Sequence, residues 1–333
     1  MTAAPRTGLF LLSPSESTGA LERAVWAEQQ GFDSLWIPDG GGKMHALTLA
    51  AALAMRTSTI RLGLGVVPVF THSPAVLASS ASALAHLAPG RIIMGLGASS
   101  HAMIEGWHGM DFVKPLTRVK ETALLLRRML DGERVEFVGE TLRSKGFRLN
   151  PPPQTKVPIY LAALRPKMLE LAGEIADGVI LHLAPLQAIP KMLEHIAAGA
   201  QRAGRPLEDI EIISRFNVLV TDDMAAGREE FRKFVLGYYS TPVYNKFLAW
   251  AGFEQEAESI AEGFKARDRT KTEAALSDEV VDMLGVIGTA DACRERVREF
   301  LQAGIQTSAI HAVSADPASA LRAMEAFAPR NFS

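Results

Sequence analysis

The hydrophobic positions of this chain fall into short unbroken runs, separated by longer stretches in which apolar residues recur every three to four positions. The first run, TGLFLL (7–12), reads as a buried strand, and TGALERAVWAEQQG (18–31) as an amphipathic helix closed by a glycine. DSLWIPD (33–39) with HALTLAAALAMRT (45–57) repeats the pair, as does TIRLGLGVVPV (59–69) with SPAVLASSASALAHLAPG (73–90). In that last helix Ser73 is placed to cap, Pro74 to take the first helical position, and Pro89-Gly90 to stop it. RIIMGLG (91–97) is a fourth strand. Continuous apolar runs, without alternation, are what parallel strands covered on both faces show.

The rhythm then breaks. Residues 131–158 carry hairpin-like turns and a proline cluster and read as an excursion. IYLAAL (159–164), PKMLELAGEIA (166–176) and GVILHL (178–183) restore the alternation, which helix 186–203 and strand IEIISRFNVLV (210–220) continue. Residues 222–285 are mostly helical without a clear partner strand, a second insertion. Helix 289–303, strand SAIHAV (308–313) and helix PASALRAMEAFA (317–328) finish the pattern. Eight strands in one apolar pattern predict an α/β fold, a (β/α)8 TIM barrel with insertions forming a single domain over 1–333, with a doubly wound sheet as the alternative.

Composition narrows the function. Of 333 residues, 48% are apolar and 22% charged, which is ordinary for a globular chain, and the net charge of −2 gives no electrostatic reason to expect nucleic acid or anionic lipid. The single cysteine, Cys293, fits a reducing compartment and a buried helix position, and no stretch resembles a signal peptide or a membrane span. A cytoplasmic protein acting on a small molecule is expected, as a homodimer or higher homo-oligomer. No His-Glu-x-x-His or paired-cysteine spacing points to a metal, and no Gly-x-Ser-x-Gly elbow to a serine nucleophile.

The turn GLGASS (95–100) comes close to the dinucleotide fingerprint Gly-x-Gly-x-x-Gly, but three strand–helix units precede it and Ser100 replaces the third glycine. Two readings of the turn stay open: an anion cradle of backbone amides and serines at a strand's C-terminal end, or a tight turn with no ligand.

Five ordered blocks carry a resemblance: AEQQGFDSLWIPD, LAAALAMRTSTIRLGLGVVPVFTHSPAVLA, LAPGRIIMGLGAS, EGWHGMDFVKPLTRVKE and PIYLAALRPKMLELAGEIADGVIL. Over about residues 7 to 220, and more weakly to 285, the chain resembles the bacterial luciferase-like superfamily, in its branch of oxidoreductases that use the deazaflavin coenzyme F420. The resemblance implies a (β/α)8 barrel and an F420-dependent hydride transfer to or from a small organic substrate. An FMN-dependent monooxygenase and a non-catalytic flavin-binding protein are the alternatives. It further implies a cis or otherwise distorted Gly65–Val66 peptide facing the cofactor ring at the end of the third strand. The phosphate-bearing tail is expected at two turns. One is Gly97-Ala98-Ser99; the other is formed by the amides of Ala163 and Leu164 and the helix start at Pro166. Arg165 stands where relatives commonly carry glycine, either as a phosphate contact or as a solvated side chain. Ile180, Leu181 and His182 are expected under or beside the ring.

The catalytic pattern departs from that branch. Asp39 is kept as a polar contact to the ring, but Gly40 replaces the branch's histidine, and Ala98 replaces the glutamate of its sugar-phosphate dehydrogenases. Either the substrate needs no strong acid, as at an iminium-like carbon, or another group serves. Asp39 and His182 are the candidates taken as catalytic, with His45, His72, Glu105 and His108 also on mouth-facing loops. Phe10, Phe70 and Trp107 are candidates for the substrate pocket. The charged stretch 265–279 is either a solvated face or a lid.

Overall fold

A computed structural model describes residues 6–11, 16–39, 45–314 and 316–332. Gly40 lies outside the described residues. The barrel strands are Arg6–Phe10 (β1), Ser34–Ile37 (β2), Arg61–Leu64 (β3), Ile92–Gly97 (β4), Ile159–Ala162 (β5), Gly178–His182 (β6), Glu211–Val220 (β7) and Thr307–Ala312 (β8). Each pairs in parallel with the next, and β8 returns to β1 with Ile310 opposite Leu9, so the sheet closes. This is the expected (β/α)8 TIM barrel, and the eight strands are the eight read from the sequence.

Two departures are local. The run 59–69 is two strands: β3 stops at Leu64, the Gly65–Val66 peptide is cis, and Val67–Pro68 then pairs with Leu96 and Gly97 of β4. A three-residue strand, Val286–Gly288, pairs in parallel with β7 and is too short to have left a periodic signal. The 131–158 excursion contains the antiparallel hairpin Val135–Val138 and Arg143–Phe147. The second insertion is the helices Met224–Tyr239, Pro242–Trp250, Glu254–Ala266, Arg269–Ala274 and Asp278–Leu284. Ser73 caps as expected, accepting from the Val76 amide at 3.3 Å with Pro74 at the helix start. Among the described residues no helix is long and apolar enough to cross a membrane.

The core has two parts. The larger one fills the space between the sheet and its helices. The smaller one lies inside the barrel: Phe10, Trp36, Ile93, Tyr160, Ile180, Ile213 and Ala309, with Val66 against it. Neighbouring residues of a strand point to opposite faces, so this inner list fixes the inward positions. At the base of the barrel Glu211 accepts from Tyr160 Oη and Thr307 Oγ1, both at 2.6 Å, and pairs with Arg6 and Arg61 at 3.1 and 3.2 Å. Burial opposes its ionisation, but Arg61 and these hydrogen bonds hold the Glu211 carboxyl below its ordinary range. Cys293 is fully buried and its thiol is pushed up to about 12 by that burial, so it is a packing residue.

Candidate active site

The C-terminal ends of the strands form the mouth, the face on which barrels of this kind carry their chemistry. Its floor is shaped by the Gly65–Val66 bulge. The Gly65 amide donates to the Ile37 carbonyl at 2.8 Å and the Asp39 amide to the Val66 carbonyl at 3.3 Å, while the Val69 amide donates to the Gly97 carbonyl at 3.0 Å. Phe10 lies directly beneath, its Cζ 2.7 Å from where a Cβ on Gly65 would stand. The two glycines of GLGAS make room for this bulge. A Cβ on Gly95 would stand 1.9 Å from the Leu64 carbonyl oxygen, and one on Gly97 would stand 2.6 Å from Val66 Cγ2. Their smallness serves packing inside the barrel.

Beyond Gly97, backbone donors are exposed to the mouth. Ser99 adopts a left-handed φ of 68°, and among the described residues the amides of Ala98 and Ser99 find no acceptor. The turn after β5 is its neighbour, since Leu96 sits opposite Leu161. There the amides of Leu164, Arg165 and Lys167 likewise find no acceptor among the described residues, and Pro166 starts the helix Pro166–Ile175. Ala163 is different: its amide donates to the Ile180 carbonyl at 3.2 Å, so it continues the sheet and has no donor left for an anion. Arg165 is exposed.

Strand alternation sorts the β6 candidates. Ile180 points into the barrel, whereas Leu181 is buried between sheet and helices and cannot touch a ligand in the mouth, contrary to expectation. His182 points inward and is bonded at both nitrogens. Its Nδ1 lies 2.8 Å from Tyr244 Oη and its Nε2 3.0 Å from the Asn217 amide. The Asn217 amide also meets His311 Nδ1 at 2.9 Å, and Arg215 Nη2 donates to that same nitrogen at 3.0 Å. Asn217 presents its oxygen to His311 Nδ1 and donates from its NH2 to His182 Nε2. His182 therefore accepts at Nε2 and, as a neutral ring, donates from Nδ1 to Tyr244 Oη. Burial, reinforced by the Arg215 charge, holds the His182 imidazole well below its ordinary range. It is a neutral ring with both nitrogens engaged.

Arg215 is 9% exposed, lies with its guanidinium carbon 5.0 Å from the Phe10 ring centroid, and its Nε finds no acceptor among the described residues. Arg215, Asn217, His311 and Tyr244 were missed from the sequence. Their signal was present: Arg215 and Asn217 sit two apart in a run that is otherwise nearly all apolar, on one face of the strand. The roof comes from the second insertion. Tyr239 Oη donates to the Leu183 carbonyl at 3.1 Å, Tyr238 stands edge-on to His182 with ring centroids 5.0 Å apart, and Phe234 lies 5.8 Å from His311. The charged stretch 265–279 carries mainly exposed positions, and the tyrosines that close over the mouth precede it.

Of the pocket aromatics, Phe10 lies inside the barrel beneath the Gly65–Val66 bulge. Phe70 is buried in the outer core against Phe112 (5.0 Å) and beneath Arg118 (5.5 Å), and Trp107 is 61% exposed. Glu105 and His108 are exposed; Glu105 accepts from the Phe112 amide at 3.2 Å. Asp39 is half-buried beside the bulge, with Oδ1 accepting from the Ala46 amide at 3.1 Å. His45 and His72 stand next to it.

The luciferase-like monooxygenase family matches residues 3–307. The 5,10-methylenetetrahydromethanopterin reductase of Methanolobus tindarius is 32% identical over 284 residues, covering 85% of this chain and 86% of that protein. The reductase of the same name from Archaeoglobus fulgidus is 30% identical, over 84% and 85%. The solved coenzyme F420-dependent tetrahydromethanopterin reductase of Methanopyrus kandleri superposes with a TM-score of 0.81 at 23% identity, covering 99% of this chain and all of that one.

Proposed function

The chain belongs to the luciferase-like monooxygenase family and is an oxidoreductase, and from that premise we propose that it uses coenzyme F420 to transfer hydride to or from a small organic substrate bound in the barrel mouth. One observation carries the reading: a buried guanidinium with an unsatisfied Nε faces the mouth whose rim presents two adjacent turns of unpaired amides. This arrangement fits a deazaflavin. The amides of Ala98, Ser99, Leu164 and Arg165, with the helix start at Pro166, are donors for its anionic tail, and Val66, Phe10 and Ile180 form an apolar floor for its ring.

A deazaflavin, when bound, supplies the hydride-carrying carbon. This chain's residues orient and shield it. Arg215 places a fixed positive charge under the mouth, where negative charge on a ring or a substrate oxygen is stabilised. His182, Asn217 and His311 lock that guanidinium in place, and the Tyr238–Tyr244 roof excludes water. Asp39 lies beside the bulge as a polar contact. With His182 neutral and Gly40 in place of the branch's histidine, the residues favour a substrate carbon that accepts hydride without a strong proton donor. A methylene carbon of a reduced pterin, as in the name of the Methanolobus relative, is of this class.

The test is anaerobic turnover with chemically reduced F420 and a panel of cyclic iminium and carbonyl compounds. Hydride transfer to an iminium substrate, reduced roughly 100-fold in turnover by Arg215→Met, is expected. Absence of transfer to every member of the panel would refute the reading.

A further inference from the structure

We propose that Asp39, His45 and His72 form a binding site for a first-row divalent cation, zinc or a close neighbour, at the barrel mouth. A carboxylate oxygen and two imidazole nitrogens lie within 4.8 Å of one another, contributed by the end of β2 and by two separate segments that each open a helix or turn. The two histidines face each other through Nε2 at 3.0 Å. Two nitrogens at about 2.0–2.1 Å from one zinc ion stand roughly 3.3 Å apart in a tetrahedron, so the pair is already near ligating distance.

The hydrogen bonds behind the ligands point the same way. Thr71 Oγ1 donates its single proton to the Pro68 carbonyl at 3.0 Å, so at 2.9 Å from His72 Nδ1 it can only accept. His72 is thereby fixed with its proton on Nδ1 and its lone pair on Nε2, aimed at His45. His45 has the same construction: its Nδ1 lies 3.0 Å from Thr48 Oγ1, which can take the Nδ1 proton and free Nε2. A hydrogen-bond acceptor behind the other nitrogen of each ligating imidazole, the part these hydroxyl oxygens take, is the arrangement that orients metal-bound histidines. Asp39 supplies the one carboxylate; its Oδ1 is oriented by the Ala46 amide. His45 is exposed, giving an ion access, while Asp39 and His72 are half-buried. Three protein ligands leave a coordination position for water or a substrate oxygen, on the same rim as the bulge.

The competing arrangement is a plain His45–His72 hydrogen bond, in which His45 keeps its proton on Nε2. Chelator-treated protein, free of any deazaflavin, is titrated with Zn2+ by calorimetry and with Co2+ by visible absorption. The expected result is one equivalent bound at micromolar affinity or tighter, with the intense cobalt bands of a four- or five-coordinate site. His72→Gln and His45→Gln should each weaken binding by about 100-fold while circular dichroism of the metal-free protein is unchanged. No saturable site in the unmodified protein, or a site that survives in both variants, overturns the proposal. The titration uses neither cofactor nor substrate, so its failure leaves the hydride-transfer reading untouched.

Discussion

Gly95 and Gly97 face different obstacles, and that difference is measurable. A methyl on Gly95 meets a backbone carbonyl that cannot turn aside, whereas one on Gly97 meets the tip of the Val66 side chain. Gly95→Ala should therefore cost about 3 kcal/mol or more and Gly97→Ala nearer 1 kcal/mol. Urea unfolding of the two variants checks this, and equal costs would contradict the packing account. His182 gives a second residue-scale prediction. Its imidazole is held well below 6.5 in the folded state, so the unfolded chain binds the proton first as pH falls. Stability is full above pH 6.5 and is lost below it, by up to about 1.4 kcal/mol per pH unit for one proton. His72 is lowered too, mainly by burial, and adds to the same window. Carboxylates such as Glu211 and Asp177 are held below their ordinary range and lose their contribution only at lower pH. Urea unfolding at pH 7 and pH 5.5 should thus show a pH dependence that His182→Gln flattens. An unchanged slope in that variant would place the titrating group elsewhere.

At the scale of elements, the strands were legible because each is an apolar run ended by glycine, proline or a capping residue. Their inward and outward faces were not. Strands buried on both sides carry apolar residues at every position, so nothing in GVILHL separates Ile180, inside the barrel, from Leu181, outside it. The mouth's polar cluster was hidden for a related reason: Arg215, Asn217 and His311 come together only when β7 and β8 pair, 94 residues apart for Asn217 and His311. The helices of 222–285 lacked a partner strand in the sequence because two of them serve as a roof. Tyr239 and Tyr244 fasten that roof to Leu183 and His182. Removing either hydroxyl leaves a buried partner unsatisfied, so Tyr239→Phe and Tyr244→Phe should each cost about 1–2 kcal/mol. Amide hydrogen exchange should quicken across 224–250 ahead of the barrel strands. Uniform quickening would mean that the roof is not a separable unit.

Across the whole molecule, stability is concentrated at one end of the barrel and chemistry at the other. Glu211 at the base joins β1, β3, β5, β7 and β8 through Arg6, Arg61, Tyr160 and Thr307. Glu211→Gln leaves the partly exposed Arg6 and Arg61 poorly compensated and weakens the bonds from Tyr160 and Thr307, and should cost about 1–3 kcal/mol, with cofactor affinity unchanged in the folded fraction. A loss of affinity without a loss of stability would break this division. The mouth holds the central claim, and a competitive titration reaches it most directly. The purified chain is offered F420 and FMN under identical anaerobic conditions and both dissociation constants are measured. The account predicts F420 bound at least tenfold more tightly, a difference of about 1.4 kcal/mol or more; FMN bound tenfold more tightly than F420 would contradict it.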